Sequence, residues 1–266
     1  MAAGIVFFVN PAKAEAVLAR ATMIDTAEKR GYVCYPIDSP DDLPTFSCSE
    51  LSFLVAIGGD GTILKATPFA SRHHLPLLGV NLGRVGFLSE ILPAEFELAL
   101  NEYERGELTT ECRTMLSCKV NGEHTGVCLN DILLYKESFS GVAHISVEIN
   151  GEDAGVVFCD GIVVSTPTGA TGYSISAGGP IIAPGLDVSI VTPICPHSLL
   201  ARPIVTAQDS IIRLRMLSDG CLYADGQKLM DVCRTDEMEI TRSNLSTTFF
   251  RLRKHNLYQL VKQKLI

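Results

Sequence analysis

The 266-residue sequence lacks several features that would place it in a common class of protein. No uncharged apolar run approaches the roughly 18 residues that span a bilayer. No cluster of about five Lys and Arg residues forms a footprint for nucleic acid or for an anionic membrane surface. The 22 basic and 30 acidic residues leave a formal charge of −8. We therefore expect a soluble protein that binds neither nucleic acid nor membranes and that holds any anionic ligand through local contacts.

The cysteines also lack a pattern. The nine residues are odd in number and scattered, and no two of them form a CxxC pair. The sequence therefore predicts neither a disulfide framework nor a zinc site, and we expect the chain to work in the reducing cytoplasm. No internal repeat or low-complexity linker is present. The length suits one large domain or two modest ones.

The first part of the chain alternates apolar runs with helical spacing. Residues 4–9 (GIVFFV) and 51–57 (LSFLVAI) are continuous apolar runs, and residues 12–30 have helical periodicity. A helix after the second run is predicted to end at Pro68, and another is predicted to begin at Pro93. Continuous apolar strands between helices indicate a parallel sheet covered on both faces. We predict an α/β domain over residues 1–108.

After that point, short β-rich segments separated by turn residues replace the helical pattern. Asn121-Gly122 and Asn150-Gly151 are two-residue hairpin signals between alternating strands. We predict a mainly antiparallel β domain over residues 109–242, in which residues 191–205 form a turn segment punctuated by prolines. Residues 243–266, which end in FFRLRKHNLYQLVKQKLI, regain a helical pattern and are predicted to pack back on the first domain.

GGDGT, residues 58–62, lies at the carboxyl end of a predicted strand, where open α/β sheets bind ligands. Gly58, Gly59 and Gly61 would let backbone N–H groups approach phosphate oxygens, and Thr62 offers a hydroxyl. Asp60 would place a carboxylate among phosphates, which is costly unless the group is used. The alternative is a plain strand–turn–helix connection with Asp60 as the N-cap. The motif is neither GxxxxGK[ST] nor GxGxxG.

A second block, DGIVVSTPTGATGYSISAGGPI (160–181), is dense in hydroxyl groups and glycine. We interpret it as a long functional loop rather than a strand. Its hydroxyls suit a polyhydroxylated ligand such as a ribose, Tyr173 would stack on a base, and Asp160 would accept hydrogen bonds from ribose or amide groups. The alternative is a surface loop in which Tyr173 is a core aromatic.

Two shorter signals are weaker. Asn130 offers a donor and an acceptor to an adenine edge, and Asp131 can accept from a pair of ribose hydroxyls, although Asn-Asp is also an ordinary turn. Gln227, in ADGQK, has a hairpin turn as its default interpretation. Lys65 is predicted to be a solvated charge on a helix.

Together, these motifs resemble those of the NAD kinase (ATP-NAD kinase) family, and they occur in the family's order. The matching segments are GGDGT (58–62), GRVGFL (83–88), ND (130–131), DGIVVSTPTGATGYSISAGGPI (160–181) and TPICPHSLLARPIV (192–205). GGDGT alone is shared with lipid kinases and phosphofructokinases, whereas the 160–181 block is highly specific. The resemblance implies an N-terminal α/β domain, a C-terminal β domain and homo-oligomers, either dimers or tetramers. It also implies transfer of a phosphoryl group from ATP, or from polyphosphate, to the 2′-hydroxyl of the adenosine ribose of NAD.

The same resemblance implies roles for particular residues. Asp60 is expected to be the proton acceptor and to contact NAD together with Gly61, while Gly58, Gly59 and Thr62 are assigned to the phosphate donor. The other expected NAD contacts are Asn130, Asp131, Asp160, Thr171, Gly172, Tyr173, Ser174, Ile175, Ser176 and Gln227. Mg²⁺ or another divalent ion is expected to bridge the donor phosphates, and no protein ligand is assigned to it.

The chain departs from the family pattern at three positions. Asp131 stands where many members have Glu, Gly172 where many have Ala, and Phe158 where a basic residue is frequent. The last difference argues against a direct cationic contact to the diphosphate from that position.

Two other functions stay open. The chain would be a different GGDGT-type kinase if it acted on a lipid or a sugar, and the 160–181 block speaks against that alternative. It would be a non-catalytic dinucleotide-binding sensor if it bound the nucleotide without converting it. The presence of Asp60 speaks against a sensor.

Overall fold

The computed structural model describes residues 3–39, 50–83, 86–138, 141–253 and 260–262. By its internal contacts the chain divides into a first unit, residues 1–113 with 246–266, and a second unit, residues 114–245. Each unit has its own buried apolar core. Within the described ranges, no helix is both long enough and apolar enough to cross a membrane.

The first unit is an α/β fold. Its elements in chain order are β1 (Gly4–Val9), α1 (Ala14–Glu28), β2 (Val33–Ile37), β3 (Leu51–Ile57), α2 (Asp60–Arg72), β4 (Leu77–Val80), a 3₁₀ turn (Pro93–Glu95) and α3 (Phe96–Glu104). The strands pair in the order β2-β1-β3-β4, and each pair is parallel. All of β1 and most of β3 are buried. Their continuous apolar runs are typical of strands that are covered on both faces. The predicted parallel α/β fold is confirmed.

Helix α2 continues through Pro68, where the sequence predicted its end. Proline lacks the N–H that would bond to the carbonyl of Leu64, four residues earlier. The Thr67 hydroxyl donates to that carbonyl instead, at 2.8 Å. Phe69 and Ala70 are buried, so the last turn of the helix also gains apolar packing. The prediction was wrong because a neighbouring side chain satisfies the carbonyl that proline leaves open.

The second unit is mainly antiparallel β, as predicted. Its elements are β5 (Thr109–Val120), β6 (Glu123–Cys128), β7 (Asp131–Lys136), β8 (Ala143–Ile149), β9 (Glu152–Cys159), β10 (Gly161–Ser165), α4 (Tyr173–Ser176), β11 (Val188–Ile194), β12 (Ile204–Ala207), β13 (Ile212–Met216), β14 (Gly220–Ala224), β15 (Gln227–Val232) and β16 (Met238–Arg251). Strand β5 begins, and β16 ends, with residues of the first unit. Six strands pair in the order β12-β11-β10-β7-β14-β15, and β13 pairs with β8 and β16.

Both predicted hairpins are present. Asn121-Gly122 joins β5 to β6, and Asn150-Gly151 joins β8 to β9. Asp225-Gly226 connects β14 to β15 in the same way. Both residues of each turn have positive φ, which a type I′ hairpin turn requires.

The predicted turn segment at 191–205 begins inside a strand. Val188–Ile194 forms β11, which is buried along almost its whole length. The β11–β12 ladder ends at Val191, so Pro193 has a strand neighbour on one side only and its missing N–H is tolerated there.

The end of the chain also differs from the prediction. Residues 249–251 are extended rather than helical, since they form the end of β16. Phe249 there pairs with Leu77 of β4. Thr247, Thr248, Phe249 and Phe250 are residue types that favour a strand. Residues 260–262 are helical, while 254–259 and 263–266 lie outside the described residues.

Candidate functional site

The GGDGT motif is the connection between β3 and α2. Gly59 is the residue before the helix and Asp60 is its first residue, so the alternative of Asp60 as the N-cap is wrong. The turn is tight at Gly58, where a Cβ atom would lie 2.4 Å from the Thr62 hydroxyl oxygen. Gly59, the N-cap residue, has no side chain that could accept a hydrogen bond from the N–H groups of the first helical turn.

A cavity of about 240 Å³ opens beside this turn. Its lining consists of Asn10, Lys13, Gly59, Gly61, Thr62 and Lys65. Lys65 is an exposed charge on α2, as predicted, and it also borders the cavity. Lys13 was missed, although it follows β1, which neighbours β3 in a parallel sheet and ends at the same edge. Two ammonium groups and the positive end of α2 suit a polyanion such as a chain of phosphates.

The Asp60 carboxylate is held by the segment that follows β4. The backbone N–H of Phe87 donates to Oδ2 at 2.9 Å, and that of Leu88 donates to Oδ1 at 3.3 Å. We call these two donors the Asp60 clamp. A Cβ atom on Gly86 would lie 1.9 Å from Oδ1, so only glycine fits there. Arg84 and Val85, also in the GRVGFL motif, lie outside the described residues.

The second unit gathers Asn130, Asp131 and Gly172. Strand β10 ends at Ser165, which pairs with Asp131 at the start of β7, and the N–H of Thr166 donates to the Asn130 carbonyl at 2.8 Å. A Cβ atom on Gly172 would lie 3.5 Å from Asn130 Nδ2 and 3.8 Å from Asp131 Oδ2. The Asn130 Oδ1 atom is buried and makes no hydrogen bond within the described part of the chain. The Asn130 amide nitrogen and the Asp131 carboxyl group thus both lie beside Gly172.

Asp225 organises this cluster and was missed by the sequence analysis. Its carboxylate accepts hydrogen bonds from the N–H groups of Leu129, Asn130 and Asp131 at 2.8, 2.7 and 3.3 Å. Burial raises the pKa of Asp225 to about 6, although these hydrogen bonds act in the opposite direction. Burial, and then the neighbouring Asp225 charge, raises the pKa of Asp131 to about 7. The signal for Asp225 was its place in a hairpin turn two residues before Gln227, which is exposed at the start of β15.

Asp160 lies at the opposite end of β10 from Ser165. Its carboxylate forms an ion pair with the Lys136 ammonium group at 2.6 Å, and Lys136 was not predicted as its partner. Asp160 and Asp131 therefore mark the two ends of one strand pair. Burial raises the pKa of the Tyr173 phenol, and the nearby Tyr135 and Cys195 add to this effect. The charges of Asp131 and Asp160 raise that pKa further, by smaller amounts.

The 160–181 block is not a loop throughout. Its first apolar residues, Gly161–Ser165, form a buried strand because they complete the ladder between β7 and β11. A 3₁₀ turn (Gly169–Thr171) and the single helical turn α4 follow. Tyr173 is 41% exposed, so the alternative of a core aromatic is wrong.

The hydroxyls of this block differ in their availability. Ser174 is buried and shares a hydrogen bond with the Thr192 hydroxyl at 3.0 Å. The Thr171 hydroxyl donates to the Thr168 carbonyl at 3.3 Å. Ile175 is half-buried and Ser176 is exposed. Part of the hydroxyl density therefore stabilises the fold itself.

Comparison with known proteins matches both parts of the chain to one family. The family model of the ATP-NAD kinase N-terminal domain matches residues 5–108, and that of the ATP-NAD kinase C-terminal domain matches residues 129–252. An NAD kinase of Thermoanaerobacter sp. (strain X514) is 36% identical over 246 residues, which cover 90% of this chain and 85% of the relative. An NAD kinase of Methanothermobacter thermautotrophicus is 37% identical over 220 residues, covering 82% and 77%.

Solved structures show the same fold. An NAD kinase from Archaeoglobus fulgidus in complex with ATP has a TM-score of 0.82 at 26% identity, covering 97% of this chain and 98% of that one. Yeast NADH kinase complexed with NADH has a TM-score of 0.88 at 23% identity, covering 99% and 87%. At that identity the yeast protein shows similarity of fold alone.

Proposed function

The chain belongs to the NAD kinase family, and we propose that it transfers a phosphoryl group from ATP to the 2′-hydroxyl of the adenosine ribose of NAD, giving NADP and ADP. The observation that carries this proposal is the Asp60 carboxylate at the start of α2, where each oxygen accepts a hydrogen bond from a backbone N–H of the segment after β4. A carboxylate fixed beside a phosphate-binding turn suits removal of a proton from a hydroxyl that attacks a phosphate.

Phosphoryl transfer has little covalent chemistry for a protein to perform, so alignment and charge neutralisation supply most of the catalysis. Asp60 orients the 2′-hydroxyl and accepts its proton as the bond to phosphorus forms. A general base of this kind is worth a factor of about 10² to 10⁴ in rate. The two clamp bonds keep the carboxylate in one direction, which such alignment requires.

The donor phosphates occupy the cavity beside the GGDGT turn. Lys13, Lys65 and the positive end of α2 face a triphosphate or a polyphosphate chain there. A divalent ion such as Mg²⁺, bound together with the donor, would neutralise part of the phosphate charge. The described residues contain no group of three or more His, Cys, Asp or Glu side chains able to hold a metal.

NAD contacts the second unit through the cluster around Asn130. The unpaired Asn130 Oδ1 atom and the Asp131 carboxyl bind the adenosine moiety, and the exposed Tyr173 ring stacks on a base. The remaining proposed contacts are Gly61, Asp160, Thr171, Gly172, Ser174, Ile175, Ser176 and Gln227. Within the fold, the Ser174 hydroxyl forms a hydrogen bond with the Thr192 hydroxyl.

We also propose a homo-oligomer that assembles through the second unit. Leu199 and Leu200 are 86% and 88% exposed, beside an apolar groove of about 300 Å³ that Leu200 and Ile204 help to line. Exposed apolar patches of this kind are typical of interfaces. In multi-angle light scattering, Leu200→Asp is expected to lower the mass to that of a monomer. Leu18→Asp, on the exposed side of α1, is expected to leave it unchanged, and a monomeric wild type would contradict the proposal.

The proposed cytoplasmic location is supported by the thiols. Each of the eight cysteines that the structure describes is unpaired. Structural disulfides are rare where glutathione keeps thiols reduced.

The direct test is an assay of purified protein with NAD and Mg-ATP, read by an NADP-specific dehydrogenase. We expect NADP and ADP in equal amounts, loss of turnover with EDTA, and no phosphorylation of diacylglycerol or fructose phosphate. Polyphosphate in place of ATP measures donor preference. Asp60→Asn is expected to lower kcat by about 10² to 10⁴ while NAD still binds. Binding of NAD by the wild type without NADP formation would instead identify a sensor.

A further inference from the structure

A buried ion network lies next to the Asp60 clamp in the first unit. The side chains of Glu90 and Arg251, which are 0% and 6% exposed, form an ion pair at 3.2 Å. The Nε atom of Arg251 donates to Glu111 at 2.7 Å. Glu111 also pairs with Arg113 at 2.7 Å. A buried guanidinium held from two sides by carboxylates has a fixed position.

Arg251 reaches the clamp through a single residue. Its Nη1 atom donates to the Leu88 carbonyl at 3.2 Å, in addition to the bond with Glu90. The N–H of the same Leu88 donates to Asp60 Oδ1 at 3.3 Å. Leu88 therefore connects the end of β16 to the carboxylate at the start of α2.

The segment that carries the clamp has little regular structure of its own. Gly86 N–H donates to the Ser89 hydroxyl at 2.5 Å, and Glu90 N–H donates to the Gly79 carbonyl at 2.8 Å. The second oxygen of Glu90 accepts from the N–H groups of Leu252 and Arg253 at 2.8 and 3.0 Å. Glu90 and Arg251 thus join this short segment to the end of β16 through both backbone and side-chain bonds.

We propose that Arg251, held by Glu90 and Glu111, is a positioning residue for Asp60: it fixes Leu88 and thereby the direction of the catalytic carboxylate. This inference rests on the proposed role of Asp60. Displacement of a reacting group by about 1 Å can cost on the order of 10² in rate, so loss of the guanidinium should act on turnover more than on binding. A network that only stabilised the fold would change the melting temperature without selectively lowering kcat.

The test is Arg251→Met, assayed well below its melting temperature with folding checked by circular dichroism. We expect kcat to fall about 10- to 100-fold, while KM for NAD and for ATP each stay within about twofold. Arg251→Lys, which keeps a cation but not the fork of donors, is expected to recover part of the loss. The matched control is Arg253→Met, since the exposed Arg253 side chain pairs with Glu95 and not with the clamp. It is expected to keep wild-type kcat.

A double-mutant cycle separates the positioning role from the role of Asp60 itself. In an Asp60→Asn background, Arg251→Met is expected to change the residual kcat by less than about twofold, because the group it positions is gone. A full 10- to 100-fold loss in that background would overturn the inference, and so would a folded Arg251→Met with wild-type kcat. Wild-type kcat in Asp60→Asn alone would overturn the proposed function instead.

A milder variant covers the case in which Arg251→Met does not fold. Glu111 is one-third exposed, and Glu111→Gln weakens one of the two carboxylate contacts that hold Arg251. We expect a 3- to 10-fold fall in kcat with both KM values nearly unchanged. A folded Glu111→Gln with wild-type kcat would overturn the inference.

Discussion

The Asp225 carboxylate accepts a hydrogen bond from the backbone N–H of Asp131 at 3.3 Å, across 94 residues of chain. The contact puts two acidic side chains beside each other at the start of β7, and the Asp131 side chain is buried there. Asp225 is used as an acceptor of backbone hydrogen bonds. Asp131 keeps its carboxyl directed toward the surroundings of Gly172, with a raised pKa.

The raised pKa of Asp131 makes stability depend on pH. Its pKa is about 7 in the folded chain, against about 3.9 in an unfolded one. Between these values the folded state binds more protons, so the free energy of unfolding falls as pH rises from about 4 to about 7. Asp131→Asn removes this contribution. We expect it to raise the free energy of unfolding at pH 8 by on the order of 2 to 4 kcal/mol, with a smaller effect at pH 4.

Urea unfolding at pH 4, 6 and 8 without ligand measures this effect. The slope that persists in Asp131→Asn is expected to come partly from Asp225, whose pKa is also raised. Asp219→Asn, which replaces an exposed aspartate on a turn, is the matched control. Equal effects of Asp131→Asn at pH 4 and pH 8 would show that the carboxyl is not protonated in the folded state.

Gly86 tests the clamp by geometry alone. In Gly86→Ala the added methyl would lie 1.9 Å from Asp60 Oδ1, so the carboxylate or the segment must move. We expect kcat to fall by about 10² with a modest loss of stability. Gly83→Ala, in the same motif, meets no atom within 4 Å and serves as the matched control. Similar kinetics for the two variants would argue against a constrained Asp60.

The two lysines of the GGDGT cavity test the donor site. Lys13→Ala and Lys65→Ala each remove one ammonium group from the lining. We expect each to raise KM for ATP about 3- to 10-fold and the pair to raise it further, with KM for NAD nearly unchanged, because partly solvated charge contacts of this kind are modest. Lys29→Ala, whose side chain pairs with Asp25 on the surface of α1, is the control. A larger effect on NAD than on ATP would assign the cavity to the other substrate.

Tyr173 tests the stacking role. Its ring is 41% exposed in the absence of ligand, and stacking of a base on an aromatic ring is worth about 1 to 3 kcal/mol. Tyr173→Ala is therefore expected to weaken NAD binding about 5- to 100-fold in calorimetry, with ATP affected less than twofold. Tyr173→Phe should retain most of the affinity. Equal weakening of both ligands would point to a folding role.

Several turns could be predicted from the sequence because their signals are local. The GGDGT turn needs glycine at Gly58 for a contact only four residues away, with Thr62. Asn121-Gly122 and Asn150-Gly151 set their own hairpins through positive φ angles. The hairpin turn was a local signal for Asp225, but the roles of Asp225 and Arg251 could not be predicted, because their partners lie 94 to 163 residues away along the chain.

By itself, the sequence determined the α/β and antiparallel β classes of the two units and the glycine turns, since apolar periodicity and turn chemistry act over a few neighbouring residues. It also indicated the family, through motifs that resemble those of NAD kinases. Only the tertiary structure decided that α2 passes through Pro68, that β16 replaces a helix up to Arg251, and that Asp60 is held by Phe87 and Leu88. In each of these cases a hydrogen bond or a burial partner outweighs the local preference. Such partners are known only once the chain has folded.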